Sequence, residues 1–147
     1  MLRVLKPGGK LALAVWHQPE SNPFFYTLSR VIERYVDSPP PEPDAPEAFR
    51  FAGPGKLRDV LGEAGVIDPF ERLLSFTIDA PLSVEDFWAL RIEMSEQLRK
   101  KISGLSPKQL SEAKRESLES MGEYSTTQRM SFPAQVLIVS GTKSRPT

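Results

Sequence analysis

His17 is the only histidine in the chain, and it directly follows an apolar run at residues 11–16. A histidine titrates near neutral pH, so it can act as a general base when it lies within hydrogen-bond reach of a bound substrate. If the apolar run is a strand, His17 lies at its carboxyl end, where open α/β sheets place their ligand crevices. No second residue of a catalytic constellation accompanies it, and a partly exposed loop histidine is the alternative. His17 is therefore a candidate substrate contact, and we predict no catalytic residue.

Five other side chains are of the kind that line a pocket for a small apolar molecule. Such pockets are mostly hydrophobic and contain a few polar groups that fix the orientation of the ligand. The candidate substrate contacts beside His17 are Trp16, Asn22, Phe24, Phe25 and Trp88. Aromatic residues at helical spacing are chiefly core residues, so core packing is the alternative that these positions favour.

Residue types and spacing also bound the possible cofactors. The chain has no cysteine, which excludes disulfides and thiolate ligands, and its acidic residues show no metal-ligand spacing with His17. Gly53-Pro54-Gly55 is the nearest match to a nucleotide-binding glycine loop, but it follows a proline-rich stretch instead of a buried strand. We predict no metal site and no cofactor-binding residue in this chain.

Charge and hydropathy indicate what the chain does not bind. Nineteen basic residues balance nineteen acidic residues, so the chain lacks the basic excess expected of a protein that binds nucleic acid or an anionic membrane. The apolar run at residues 11–16 is too short to cross a bilayer, and no charged leader precedes a cleavable apolar segment. We expect a cytoplasmic protein without a nucleic-acid or membrane partner.

Three strands are predicted from the pattern of apolar residues. Residues 11–16 are apolar at every position, which indicates a strand that lies inside a sheet and is covered on both faces. Residues 70–79 alternate between apolar and polar side chains, which indicates a half-exposed edge strand. Residues 134–143 contain Val-Leu-Ile-Val at 136–139, so both faces should be buried and this strand is the best candidate for the central position.

Helices are predicted between the first two strands. Asn22 followed by proline is a good N-cap and first-turn pair, and an apolar stripe of helical period extends from there to Val36. A second, short helix is predicted at residues 54–64 and ends at Gly65, which can adopt the left-handed conformation. The proline-rich stretch at residues 39–46 is predicted to be a loop, because proline interrupts both helices and inner strands.

Residues 83–122 are predicted to form a pair of helices before the last strand. The first helix continues to Ser103 and carries an apolar stripe that includes Phe87, Leu90 and Met94. Ser-Pro-Lys-Gln at residues 106–109 caps the second helix, and the two helices form a helical pair.

Four stretches, taken in order, resemble one protein family. Arg-Val-Leu-Lys-Pro-Gly-Gly at residues 3–9, followed by an apolar strand, resembles the turn before the fifth strand of class I S-adenosylmethionine-dependent methyltransferases. The similarity is to the type 11 group, which includes enzymes of the ubiquinone- and menaquinone-biosynthesis type. The later matches are Asn-Pro-Phe-Phe at 22–25, residues 51–65, and Phe-Pro-Ala-Gln at 132–135.

The resemblance implies an α/β fold with a partial Rossmann-like methyltransferase sheet and flanking helices. The strands would correspond to strands five, seven and six of the family, with the last strand central and antiparallel. The helices at 83–122 would be a lid-like insertion over the acceptor pocket, and residues 1–147 would form a single domain. The donor-binding motifs of the family belong to its first four strands, and none of them can be placed in this sequence.

The expected function is therefore that of a truncated, C-terminal half of a methyltransferase, which binds the acceptor and is inactive alone. It would hold no cofactor by itself, and S-adenosylmethionine would bind only after completion by an N-terminal half. The alternative is a non-enzymatic dimeric or small-ligand-binding module, because a fifth strand without its fourth has an unpaired edge that invites a second copy. The expected partners are a homodimer mate or a complementing N-terminal half, together with a small-molecule acceptor. Whether the chain alone is an enzyme stays open.

Overall fold

The last long strand lies in the middle of the sheet. The computed structural model describes residues 1–37, 39 and 45–145, and the strands in this part are Lys10–Trp16 (β1), Val66–Ala80 (β2), Ser125–Thr126 (β3) and Arg129–Lys143 (β4). Their order is β1-β4-β2, and the short β3 also pairs with β4. The predicted central position of the last strand is confirmed, whereas β3 has no counterpart among the predicted strands.

The fold is mixed α/β, with an antiparallel four-stranded sheet and five α-helices in the described residues. The helices are Pro23–Glu33 (α1), Lys56–Glu63 (α2), Val84–Met94 (α3), Glu96–Ser103 (α4) and Pro107–Gly122 (α5). The chain divides into two compact units. Unit 1 comprises Met1–Ser21, Pro43–Phe76 and Gln135–Thr147, and unit 2 comprises Asn22–Glu42 and Thr77–Ala134.

β1 is held by a regular antiparallel ladder with β4. The register runs from Lys10 opposite Thr142 to Trp16 opposite Val136. The predicted glycine turn before β1 closes the end of this ladder, because the N–H of Gly8 donates to the carbonyl of Lys143 at 3.0 Å. Gly8 has a φ of +76°, a conformation that glycine adopts without a Cβ clash.

One face of β1 is exposed, so the prediction of an inner strand covered on both faces is wrong for the described chain. Ala12 and Ala14 are exposed, whereas the alternating Leu11, Leu13 and Val15 are half-buried. β1 is also an edge strand in the described sheet, because it pairs with β4 alone. An apolar run therefore identified the strand but not its neighbours.

β4 likewise has one face that is better buried than the other. Leu137 and Val139 are buried, whereas Val136 and Ile138 are only half-buried, against the prediction that both faces are covered. The physical reason lies in the helices of unit 1. Among its described residues α2 is the only α-helix, and it packs on the face that contains Val139.

β2 is an edge strand, as predicted, but much of its apolar face is exposed in the described chain. Phe70 is 61% exposed, and Leu74 and Phe76 are each 40% exposed. Every second side chain along a strand points to the same face, so these three side chains share one face of β2. An edge strand with large exposed apolar side chains is a surface that favours association.

Eight exposed or half-buried apolar side chains of the three long strands share one surface of unit 1, which we call the open sheet face. The rings of Trp16 and Phe76 lie with centroids 6.4 Å apart, which places the apolar face of β2 on the same side as Trp16. Residues paired across an antiparallel ladder also share a face, so Val136 lies on this side opposite Trp16. The open sheet face is formed by Ala12, Ala14, Trp16, Phe70, Leu74, Phe76, Val136 and Ile138.

The core of unit 1 lies on the other face of its strands. Leu57 and Leu61 of α2 form a buried cluster with Val66 and Val139. α2 ends where the sequence predicts, because Gly65 has a φ of +92° and stops the helix in a left-handed conformation. This short helix covers one side of the sheet.

The core of unit 2 is built by the remaining helices and the start of β4. The rings of Phe87 and Phe132 lie with centroids 4.8 Å apart at its centre. Aromatic pairs at this distance contribute beyond their buried area. The buried members of this cluster are Leu28, Ile32, Phe87, Trp88, Leu98, Met121, Met130 and Phe132.

The predicted single helix that continues to Ser103 is two helices, α3 and α4. Ser95 has an extended backbone, with φ −118° and ψ +107°, and its N–H donates to the carbonyl of Ile92. Its hydroxyl accepts the N–H of Leu98 at 3.2 Å and so starts α4. Serine competes with helical backbone bonds in this way. The insertion at residues 83–122 therefore contains three helices instead of a pair.

The buried face of α3 also differs from the predicted apolar stripe. Leu90 and Met94 are exposed, and the buried positions are Phe87, Trp88 and Arg91. Both sets have helical spacing, because apolar residues lie on more than one side of this helix. The stripe drawn through Leu90 and Met94 was therefore wrong, and it left out a buried arginine.

Three further observations concern segments outside these cores. Residues Leu2–Val4 form a short 3₁₀ helix. The loop predicted at residues 39–46 lies mostly outside the described residues, which include only 39, 45 and 46 of it. Across the described ranges, every helix is too short or too polar to cross a bilayer.

Candidate functional site

A cleft of about 430 Å³ lies at the carboxyl end of β1 in unit 1. Its volume falls in the range of about 300–1,000 Å³ that is typical of small-molecule pockets. Its position agrees with that of a ligand crevice in an open α/β sheet. Its walls come mainly from the segments after β1 and before α2, and they include Gln18, Pro19, Phe49, Arg50, Ala52 and Lys56.

His17 lies beside this cleft and is held by main-chain groups. Its N–H donates to the carbonyl of Gln135 at 3.0 Å, and its Nδ1 lies 3.0 Å from the carbonyl oxygen of Ala52. A carbonyl oxygen only accepts, so Nδ1 carries the proton of the neutral ring. Nε2 then holds the lone pair, which is the state that a general base requires.

The side chains around the cleft carry more positive than negative charge. Arg50 and Lys56 line it, and Glu47 is its one acidic lining residue among those described. The guanidinium carbon of Arg50 and the ammonium of Lys56 lie 5.5 and 5.9 Å from the centre of the Phe51 ring. Cation–π contacts of this kind contribute about 0.5–1 kcal/mol at exposed sites. Among the described lining residues, two cationic side chains and one carboxylate therefore surround the cleft.

Trp16, another predicted contact, lies on the open sheet face. It is half-buried, and its ring is tilted by 32° against that of Phe76. Trp16 does not belong to the cleft residues named above, although it directly precedes His17. Its predicted role as a substrate contact stays a prediction.

In unit 2 the structure brings together Phe24, Phe25 and a residue that the sequence did not suggest, Arg91. The two rings meet nearly at right angles, with centroids 4.9 Å apart and an interplanar angle of 74°. The guanidinium carbon of Arg91 lies over both of them, 5.0 Å from the centre of Phe24 and 5.3 Å from that of Phe25. These three side chains, which we call the Arg91 cage, combine a buried cation with two apolar walls.

Arg91 is only 6% exposed, and within the described chain its Nε has no hydrogen-bond partner. Burial lowers the pKa of its guanidinium, because removal from water disfavours the charged form. Removing an ion from water costs several kcal/mol, whereas a desolvated cation–π contact returns about 2 kcal/mol or somewhat more. The two contacts of the cage together return a free energy of the same order as this cost, while Nε–H stays without an acceptor in the described chain.

Asn22 and Trp88 are both buried in the interior of unit 2. Asn22 is buried, and its carbonyl accepts the N–H groups of Phe25 and Tyr26 at 3.0 and 3.2 Å, which starts α1 at the predicted residue. Its side chain does not cap the helix. Trp88 is buried in the core cluster that contains Phe132. Their roles as substrate contacts stay predictions.

The predicted contacts thus divide between the two units. Trp16 and His17 belong to unit 1, and Asn22, Phe24, Phe25 and Trp88 belong to unit 2. Sequence reasoning missed Arg91, although its position was informative: it follows Phe87 and Trp88 at i+4 and i+3. A charged residue in line with two aromatic residues on one helix face is the signal that would have revealed it.

The comparisons with known proteins add no family. A scan against protein-family models and a search of curated proteins both found no match. Within the described residues, no group of three histidine, aspartate or glutamate side chains is arranged to hold a metal ion. The strand order, the cleft and the Arg91 cage are therefore the features of this chain from which a function can be inferred.

Proposed function

We propose that this chain is the acceptor-binding portion of a class I S-adenosylmethionine-dependent methyltransferase. The observation that carries the proposal is the strand order, in which β4 lies between β1 and β2 and runs antiparallel to β1. Strands five, seven and six of that family, in a Rossmann-like sheet, have the same relation to one another. The motif matches support the same correspondence, because one precedes β1 and another lies in β4.

The cleft and His17 suit the chemistry of an acceptor site. Methyl transfer depends mainly on positioning the acceptor and, for oxygen or carbon acceptors, on a base. S-adenosylmethionine supplies the methyl group when a donor-binding half is present. In this proposal the acceptor binds in the cleft, and its proton moves to Nε2 of His17 as its reacting atom gains the methyl carbon. The carbonyl of Ala52 keeps the proton on Nδ1 and so fixes the ring in the reactive tautomer.

The exposed apolar residues of the open sheet face favour the presence of a second, donor-binding half that covers them. Ala14 is exposed on a strand whose apolar sequence is typical of a covered sheet, and Phe70 of β2 is exposed on the same face. A donor-binding half, in the same polypeptide or in another, would pair with β1 and cover this face. The two faces of the sheet would then both be buried, as in other doubly covered α/β sheets.

The test compares calorimetric titrations of S-adenosylhomocysteine into this chain and into the product of its complete native reading frame. We expect no heat of binding with the chain alone and a one-to-one complex with the complete product. One-to-one binding to the chain alone, or no binding to the complete product, would contradict the proposal.

A variant of His17 separates catalysis from binding in the complete product. His17→Asn keeps an amide N–H that can donate to Ala52 but removes the basic nitrogen. We expect the rate of methyl transfer to fall by about 10²–10⁴-fold, the usual contribution of general-base catalysis, with donor binding unchanged. Glu20→Gln, an exposed position nearby, is the control and should leave the rate unaltered. An unchanged rate in His17→Asn would remove His17 from the mechanism.

A second candidate function is a homodimeric binding module without catalytic activity. The observation that favours it is again the open sheet face, in particular Phe70 at 61% exposed. A second copy could cover this face or pair with the edge of β1, which has no strand partner on its outer side among the described residues. The titration of the complete product distinguishes this candidate from the first, because a binding module without catalytic activity has no need to bind S-adenosylhomocysteine.

A further inference from the structure

The guanidinium of Arg91 stands out among the charged groups of unit 2, because it is buried and forms no ion pair with the described residues. None of the ion pairs found among the described residues includes Arg91. Exposed arginines of the same unit do have carboxylate partners: Arg34 pairs with Glu116, Arg115 with Glu119 and Arg129 with Asp79. A buried arginine normally needs such a partner more than an exposed one does.

The Arg91 cage lacks a hydrogen-bond acceptor for the Nε–H group of Arg91 among the described residues. The guanidinium carbon lies over the rings of Phe24 and Phe25, which have no lone-pair oxygen or nitrogen to accept a conventional hydrogen bond. A planar carboxylate accepts two parallel in-plane N–H bonds from the Nε and Nη side of a guanidinium.

We propose that Arg91 binds the carboxylate of a small organic acid through two parallel, bidentate hydrogen bonds donated by Nε–H and one Nη–H. Phe24 and Phe25 favour an acid with an apolar aromatic or aliphatic body, which can lie against their rings. This acid site belongs to unit 2, whereas the proposed function places the methyl acceptor in the cleft of unit 1, so the acid site does not rest on the proposed function.

The alternative is a purely structural arginine that is held by its cation–π contacts alone. Substitution by methionine distinguishes the two, because methionine fits an aromatic cage and removes the unpaired charge. A structural arginine would be destabilised by Arg91→Met, whereas a ligand-binding arginine would not. We expect the Tm of Arg91→Met to equal or exceed that of the natural chain.

The binding test uses the chain as it is, with benzoate and octanoate as probes and the corresponding neutral amides as controls. Titration followed by NMR should show that at least one acid binds about tenfold or more tightly than its amide, as expected when a charge-assisted hydrogen bond is gained. Arg91→Met should abolish this preference. Arg91→Lys keeps the positive charge but not the bidentate guanidinium geometry, so it should retain only part of the acid preference. Arg115→Met, at an exposed arginine, is the matched control and should bind as the natural chain does.

Two outcomes would overturn the inference. One is equal binding of each acid and its amide; the other is an acid preference that survives in Arg91→Met. If Arg91→Met does not fold, the acid-over-amide preference is measured in Arg91→Lys instead. A reduced preference in that variant supports the inference, and a fully retained preference contradicts it. The titrations contain no methyl donor, so their outcome is independent of the proposed function: a complete product that binds S-adenosylhomocysteine but shows no acid preference contradicts this inference alone.

Discussion

Glu71 of β2 accepts the main-chain N–H of Gly55 with both carboxylate oxygens, at 2.9 and 3.1 Å. Gly55 has a φ of +82° and directly precedes α2, between Ala52 and Lys56 of the cleft wall. Because this hydrogen bond involves a charged acceptor, it is stronger than a neutral one. One side chain of a strand thus fixes the loop that shapes the cleft.

Removal of this carboxylate should destabilise unit 1. We expect Glu71→Ala to lower the free energy of unfolding by about 1–3 kcal/mol, since the N–H of Gly55 loses a charged acceptor. Urea denaturation measures the change. Glu63→Ala, at an exposed glutamate near the end of α2, is the control and should alter stability little. Equal stabilities of the two variants would show that the Glu71 contact does not hold the loop.

Gly141 of β4 should not tolerate a side chain. It lies opposite Leu11, and an added Cβ would overlap Cγ1 of Val66 in the core of unit 1. We expect Gly141→Ala to lower the free energy of unfolding by about 1–3 kcal/mol, the usual effect of overpacking. Gly122→Ala is the matched control, because nothing lies within 4 Å of its added Cβ. Thermal unfolding of both variants checks the difference, and an unchanged Tm for Gly141→Ala would refute the close approach.

Asp79 should make the stability of unit 2 depend on acid pH. A hydrogen bond from Ser131 at 2.8 Å and then the pairing with Arg129 at 2.9 Å lower the pKa of Asp79 from 3.8. A carboxyl with a lowered folded-state pKa stabilises the fold above its unfolded-state pKa, and this contribution is lost as the pH falls through the folded-state value. The loss therefore lies below about pH 4.

Asp79→Asn tests this dependence. We expect the variant to be less stable than the natural chain near pH 6, with the difference shrinking towards about pH 3, as linkage requires. Urea denaturation at the two pH values measures it, with Glu93→Gln as a control at an exposed carboxylate. A difference that stays constant across this range would mean that the ionised form of Asp79 contributes nothing.

Phe70 should govern self-association of the chain. We expect the chain alone to associate through the open sheet face, because large apolar side chains there are left in water. Phe70→Asp should shift sedimentation towards the monomer, since a second copy would have to bury its charge. Val60→Asp, on an exposed position of α2 away from the sheet, is the control and should not change the distribution. A natural chain that sediments as a monomer would contradict the prediction.

The sequence predicted elements well where a single residue type dictates the backbone. Gly65 ends α2, and Asn22 starts α1, at the predicted positions because glycine conformation and helix starts are local properties. The central place of β4 was also predictable, since Leu137 and Val139 belong to its most apolar run. These features need no knowledge of distant neighbours.

The sequence was a poor guide to which faces are covered. Ala14 and Val136 lie in runs that are typical of doubly covered strands, yet burial depends on whether a second layer is present. Periodicity likewise could not choose between the Leu90 face and the Arg91 face of α3, because tertiary packing decides which apolar stripe turns inward. The cleft at His17 could be expected from topology, but the Arg91 cage required side-chain positions.

The hydroxyl of Ser95 also supports the break between the first two helices of the insertion. Without it, the N–H of Leu98 would lose its side-chain acceptor, which costs about 1 kcal/mol at a helix start. The break between α3 and α4 changes the direction in which successive side chains point, so Leu98 is buried in the core of unit 2 while Met94 is exposed.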